Sequence, residues 1–430
     1  MKSYYKFLFV QILALLAVDL GNLDSASAKS AASAFWPCWR GSHYDGSVSG
    51  PVIEKLPAEA KYLWHIPVGD GLSSPVVYGD KAFYVDNQKG RETLHAVKTA
   101  TGVEIWQADV DSVHSDSQSV PGPRCSPTTD GKFIYAQSCK GQLRCFHVSD
   151  GKEVWSVNYT THFTAIYIGE KGKAQGSQRH GNSAGPLLEN KRLYASVGGN
   201  HGDSVVCFEA KSGKVLWKSQ DDISGYSTPI LAKFMGKTQF ISFTAEGLMG
   251  LDAVKGDLLW RVPFKTSFGR HVVTPNIYSN MVVISSHEFG MQGVQVSVTD
   301  GKWTAQSIWT NKAAAENFAS PVSLGDHLYG VGPNADFDCV DMVSGKLEWS
   351  QKGYFGGNGG NAYGGFLTMQ DRVLALTDSG QLVLFAASPK EFKLISSVQV
   401  CGKNWCNPAY SEGKLYFRDN HTLYCLPLQP

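Results

Sequence analysis

The stretch Val205–Trp217, VVCFEAKSGKVLW, decides the fold. It reads as a short apolar strand, a turn at Gly213, and a second strand ending in Trp217. Antiparallel strands joined by a tight glycine turn give this pattern. The stretch recurs as LHAVKTATGVEIW (94–106), LRCFHVSDGKEVW (143–155), LMGLDAVKGDLLW (248–260) and FDCVDMVSGKLEW (337–349), always with the Gly-x-x-x-Trp spacing. Degenerate copies follow at 294–309 and 382–395, and a truncated copy, Thr422–Leu426, ends the series. Repeats of roughly 40–50 residues built from short strands point to a propeller or a β-array.

Working outward, each copy is preceded by a second hairpin. It opens at Ser74-Pro75, Ser126-Pro127, Gly185-Pro186, Thr228-Pro229, Thr274-Pro275, Ser320-Pro321, Gly364-Gly365 and Asn407-Pro408. An apolar strand, a polar turn and an aromatic strand follow, as in GKLYF at 413–417. Proline fits the first position of a strand, where a ladder donor is dispensable. The prediction is an all-β, eight-bladed β-propeller of four-stranded antiparallel blades. Its ends carry complementary defects. Lys61–Pro67 matches a Trp strand with no hairpin before it, and the last copy stops at Leu428 without a Trp strand. The N-terminal strand therefore completes the C-terminal blade and closes the ring, leaving no open edge.

Three segments follow from this: a signal peptide at 1–28, an irregular N-terminal strap at 29–60, and the propeller at 61–430. The leader has Lys2 and Lys6, an apolar run at 7–18 broken only by Gln11, and the small-residue site Ala26-Ser27-Ala28. The run is short for a membrane span; an uncleaved anchor is the alternative. The expectation is a periplasmic or secreted monomer with no integral membrane span in its mature form. The 430 residues, 43% of them hydrophobic, suffice for a large core. A net charge of +1 without a basic run provides no electrostatic basis for binding nucleic acid.

The nine cysteines sort by repeat position. Cys145, Cys207, Cys339 and Cys425 occupy one equivalent place, where other copies carry Ala96 and Gly250. A small slot inside each blade explains all four as buried free thiols. Of the remainder, Cys401 with Cys406 and Cys125 with Cys139 are the disulfide candidates in an exported protein.

In a propeller the loops from each Trp strand to the next opening hairpin gather on one face around the axis, where ligands bind. Arg124, His180, Asn182, Tyr226, His271, Asn361, Tyr363 and Trp405 stand immediately before the innermost strands and are the candidate binding residues of this funnel. Arg270, Asn317 and Asn407 share the placement. The alternative is that such residues only plug the funnel mouth. Histidines 114, 162, 180, 201, 271 and 287 also fall in loops, but no His-x-His, His-Glu-x-x-His or Cys-x-x-Cys spacing occurs, so no metal site is expected. Asn182 spoils a nucleophile elbow at Ser183, and the glycine-rich 353–365 lacks the Gly-Lys-Ser/Thr of a phosphate loop.

The x-Leu-x-Ala-x-x-x-x-Thr/Ser-Gly-x-x-x-Trp repeat resembles that of the PQQ-like (pyrroloquinoline-quinone-type) β-propellers over about 61–430. The best matches are Ala96–Gly102 and Cys339–Gly345, with the acidic position kept as Glu209, Asp252 and Asp341. The Trp-Pro-x-Trp-Arg-Gly run from Trp36 is similar to the opening of exported bacterial members. The resemblance implies two readings. One is a non-catalytic binding or scaffold protein with no cofactor, like the outer-membrane assembly lipoproteins, engaging a protein or glycan of the cell envelope through its loop face. The other is a PQQ- and calcium-dependent oxidoreductase. The quinoprotein dehydrogenases imply a vicinal cysteine pair, a Trp beneath the quinone, and acidic and amide calcium ligands. This chain has no adjacent cysteines. The expectation is therefore the binding protein.

Overall fold

The computed structural model describes residues 35–357 and 361–428. The expected signal peptide and the first residues of the strap lie outside them. Eight antiparallel sheets account for nearly all the regular structure. Blade 1, from the axis outward, is Val76–Tyr78, Lys81–Gln88, Arg91–Lys98 and Glu104–Ser112. Blade 3 is Leu187–Glu189, Arg192–Ser196, Val205–Glu209 and Val215–Ser219, so VVCFEAKSGKVLW forms its outer hairpin. Blades 2, 4, 5, 6 and 7 span residues 128–158, 230–263, 276–311, 322–352 and 364–399, and blade 8 is Ala409–Ser411, Lys414–Arg418, Thr422–Pro427 and, last, Trp64–Pro67. The register Trp64↔Cys425, His65↔Tyr424, Ile66↔Leu423 and Pro67↔Thr422 closes the ring with the N-terminal strand.

The repeated residues are spaced by contacts between blades. Five of the indoles lie on the glycine turn of the blade that follows. A Cβ at Gly102, Gly151, Gly213, Gly256 or Gly345 would sit 2.3–2.8 Å from the ring of Trp64, Trp106, Trp155, Trp217 or Trp309 respectively. These glycines also hold φ between +69° and +83°, where a side chain is strained. Indole Nε1 groups donate across the same junctions: Trp64 to Thr99 O at 2.8 Å, Trp106 to Val148 O at 3.0 Å, and Trp155 to Ala210 O at 2.9 Å. Burying one such indole is worth roughly 4–6 kcal/mol as area removed from water.

The cysteine slot has the same cause. Cys145, Cys207, Cys339 and Cys425 stand directly across the ladder from Trp155, Trp217, Trp349 and Trp64. In blades 4 and 5 the slot is glycine, and a Cβ on Gly250 or Gly293 would lie 2.3–2.4 Å from the facing Trp260 or Trp309. Blade 7 has Ser396 in place of Trp, and Leu384 fills the slot instead. All four slot cysteines are free and fully buried.

Both candidate disulfide pairs are likewise free thiols. Their sulfurs engage the backbone instead: Cys125 Sγ donates to Asn182 O at 3.2 Å and Cys406 Sγ to Arg418 O at 3.1 Å.

The described part of the strap is mostly irregular, with one short strand. Phe35–Trp36 adds a fifth strand inside blade 1 (Phe35↔Tyr78, Trp36↔Val77). The chain then crosses the axis. Thr129 N donates to Pro37 O, Leu188 N to the Tyr44 hydroxyl, and Val48 N to Thr368 O, tying it to blades 2, 3 and 7. Buried Arg40 donates to Pro321 O of blade 6.

A candidate ligand-binding funnel

The small residues before the prolines line the axis. Ser74, Ser126, Gly185, Thr228, Thr274 and Ser320 ring a cavity of about 210 Å³. Their hydroxyls also stitch adjacent blades. Ser126 Oγ accepts from Ser74 N and Ser320 Oγ from Thr274 N, both at 3.0 Å, and Ser74 Oγ accepts from Asn407 N at 2.9 Å across the closure.

Five of the expected residues line this cavity: Arg124, His180, Tyr226, Tyr363 and Trp405. Tyr363 and Trp405 stack with centroids 5.4 Å apart and planes at 11°, and Phe318 meets Trp405 at 5.2 Å. Asn407 Nδ2 donates to the Tyr363 hydroxyl at 2.7 Å. Arg270 lies with its guanidinium 5.2 Å from the Phe318 ring, and its Nε has no partner among the described residues. Burial lowers the pKa of this arginine below its usual value. Trp39, from the strap, adds a further aromatic wall.

Three expected residues are elsewhere. His271 is fully buried, stacked on Phe243 at 4.2 Å and 2°, with Nδ1 2.6 Å from Thr244 O. Burial depresses its pKa to about 4, so it is a neutral core imidazole. Asn182 is buried and turns to Cys139 O, to which its backbone N donates at 2.7 Å. Asn361 is exposed and does not line the cavity. Position before an inner strand places a backbone at the rim; the side chain's direction depends on neighbouring blades.

The loops at 113–127 and 159–186, which lead into the second and third blades, lock together beside the funnel. Asp116 Oδ2 meets Arg124 at 2.7 Å, His180 Nδ1 at 2.9 Å and His114 Nε2 at 3.0 Å. Burial works to raise the Asp116 carboxyl. The hydrogen bonds from both imidazoles and the Arg124 charge outweigh it and hold the group well below the usual range. Tyr167 reaches His114 at 2.7 Å, and Glu170 accepts from Ser117 N and Oγ at 3.0 and 2.8 Å. The sequence reading missed Asp116, Phe318 and Trp39: Asp116 and Trp39 lie away from the repeat position of the candidates, whereas Phe318 holds the same place as Arg124, Tyr226 and Trp405. The aromatic Phe318, two residues before a Ser-Pro opening, was the available signal.

The calcium of the dehydrogenase reading does not fit this lining. No carboxylate stands among the described residues around the cavity, and Asp116 behind it already faces three donors. Among the described residues, no helix is long and apolar enough to cross a membrane.

A family model described as outer membrane protein assembly factor BamB matches residues 53–166 and 169–351. The protein of that name from Shewanella oneidensis is 23% identical over 373 residues, 82% of this chain and 87% of that protein. Its counterpart from Moranella endobia is 22% identical over 234 residues, 53% of this chain, and the chain spans only 56% of that protein's length. The crystal structure of BamB from Moraxella catarrhalis shares the fold, with a TM-score of 0.59 and 12% identity over 86% of this chain and 99% of that one. The chain belongs to the family of the outer membrane protein assembly factor BamB.

Proposed function

We propose that this chain is an exported, non-catalytic scaffold that works as a periplasmic monomer and docks a protein of the outer-membrane assembly machinery on its loop face. The relatives' printed name, assembly factor, supports the class of partner. The observation that carries the reading is the funnel: Trp39, Tyr226, Phe318, Tyr363 and Trp405 beside Arg270, whose Nε is unpartnered. Aromatic side chains and arginine are the residues that anchor protein interfaces in desolvated pockets. A partner side chain inserted there covers stacked rings and meets a guanidinium whose Nε is unpartnered. A glycan would use the same rings, and is the second occupant to distinguish.

The test is capture from a solubilised cell-envelope extract by the purified chain, compared with Arg270→Ala and Trp405→Ala. Both residues lie at loop ends, so stability should fall little. Each variant is expected to lose partner capture by tenfold or more, the scale of an interface hot spot of about 2 kcal/mol. Undiminished capture by both variants refutes docking at the funnel. Capture that survives protease treatment of the extract assigns the site to a glycan instead.

A further inference from the structure

The outer flank of blade 6 departs from the repeat at two positions that meet. Blade 6 is Val322–Leu324, His327–Val331, Asp336–Asp341 and Leu347–Lys352. In blades 3 and 4 the acidic residue beside the glycine turn faces a cation on the second strand. Arg192 stands opposite Glu209 in blade 3; in blade 4 Gln239 stands opposite Asp252, and Lys237, two residues earlier, reaches the carboxylate at 2.5 Å. In blade 6 the residue opposite Asp341 is His327.

The second departure is at the bulge before the Trp. There the outer strand carries one extra residue, which re-aims a side chain. That residue is Ile105, Val154, Leu216, Leu259, Ile308 and Ile395 in six other blades, and Glu348 in blade 6. A cation has become an imidazole and an aliphatic group a carboxylate, at one spot.

The ligand atoms of His327, Asp341 and Glu348 all lie within 4.8 Å of one another, with His327 Nε2 3.9 Å from Asp341 Oδ2. The opposite atom of each side chain is held by a separate partner. His327 Nδ1 is 2.6 Å from Asp326 Oδ1; Asp341 Oδ1 accepts from Ser344 N and Oγ at 2.7 and 2.9 Å; Glu348 Oε2 accepts from Lys346 Nζ at 2.8 Å. That leaves Nε2, Oδ2 and Oε1 available. A carboxylate behind the imidazole that fixes its tautomer is the outer-shell device of metal-binding histidines. Ligand bonds of about 2.0–2.2 Å place tetrahedral donors roughly 3.4 Å apart, within a small side-chain adjustment of the geometry here.

We propose that His327, Asp341 and Glu348 form a binding site for one divalent first-row transition ion of the zinc class, completed by water. One nitrogen and two carboxylate oxygens suit that class. The ion would staple the three outer strands of blade 6.

The test uses the full chain stripped with chelator and dialysed. It is titrated calorimetrically with Zn²⁺ in a non-coordinating buffer, and with Co²⁺ while its visible absorption is followed. His327→Lys and Glu348→Leu install the residue types of the other blades, so both should fold, which circular dichroism and melting confirm. The wild-type chain is expected to bind one equivalent and develop cobalt absorption, and each variant to bind at least about 100-fold more weakly. Absence of a one-equivalent site in the wild type overturns the proposal. So does unchanged affinity in either folded variant, which would put the ion elsewhere, as at His114 and His180.

Discussion

Trp64→Ala tests ring closure at a single side chain. Trp64 belongs to the N-terminal strand, pairs with Cys425 of the C-terminal blade, and lies over Gly102 of blade 1. Its ring is 8% exposed, and Nε1 donates to Thr99 O at 2.8 Å. Truncating a buried Trp to Ala costs about 3–5 kcal/mol. With an unfolding entropy of roughly 2.1 cal/mol/K per residue over about 400 residues, that lowers the apparent Tm by about 5 °C. The assay is calorimetric melting at one fixed scan rate, since large domains often unfold irreversibly. A matched pair isolates the indole hydrogen bond. Trp64→Phe leaves the Thr99 carbonyl without its donor, whereas the Nε1 of Trp217 has no partner to lose. Trp64→Phe should therefore cost about 1–2 kcal/mol more than Trp217→Phe. A Trp64→Ala protein melting within about 1 °C of the parent refutes closure by this residue.

Two further outcomes follow from buried groups. His271 has its pKa depressed by burial to about 4 against 6.5, so the unfolded chain takes up the proton first. Its contribution, about 3 kcal/mol, is fully present above pH 6.5 and is lost as pH falls towards 4. Denaturant midpoints at pH 7 and 4.5 should differ less in His271→Phe than in the parent; equal differences would disprove the neutral-core assignment. Burial also pushes the thiols of Cys145 and Cys339 up to about 12 and those of Cys207 and Cys425 to about 11. All four should resist alkylation until the protein is denatured, and mass mapping of any one in a native disulfide would remove the slot explanation.

The blade count, the four strands per blade and the closure were legible because each is a local signal repeated. Gly213 marks a turn wherever its neighbours lie, and the missing halves at Lys61–Pro67 and Leu428 are visible in one dimension. The class of residue in the slot was legible too, since Cys145, Cys207, Cys339 and Cys425 align. The reason for the slot was not: the ring of Trp217 crosses the ladder onto Cys207 and then packs against Gly256 of the next blade.

The funnel divided along the same line. The sequence alone determined which backbones reach the rim, because the position before an inner strand follows from the repeat. Only the tertiary structure decided which side chains enter. Tyr363 and Trp405 come from different blades and stack only once the ring closes, while His271, equally well placed by sequence, turns onto Phe243. The metal-ligand geometry of His327, Asp341 and Glu348 escaped a search for short spacings because its ligands come from three strands. Periodicity fixes a strand's place and its faces, since both depend on neighbours along the chain. The direction of a loop-end side chain is set by contacts with groups many residues away, and no local pattern encodes them.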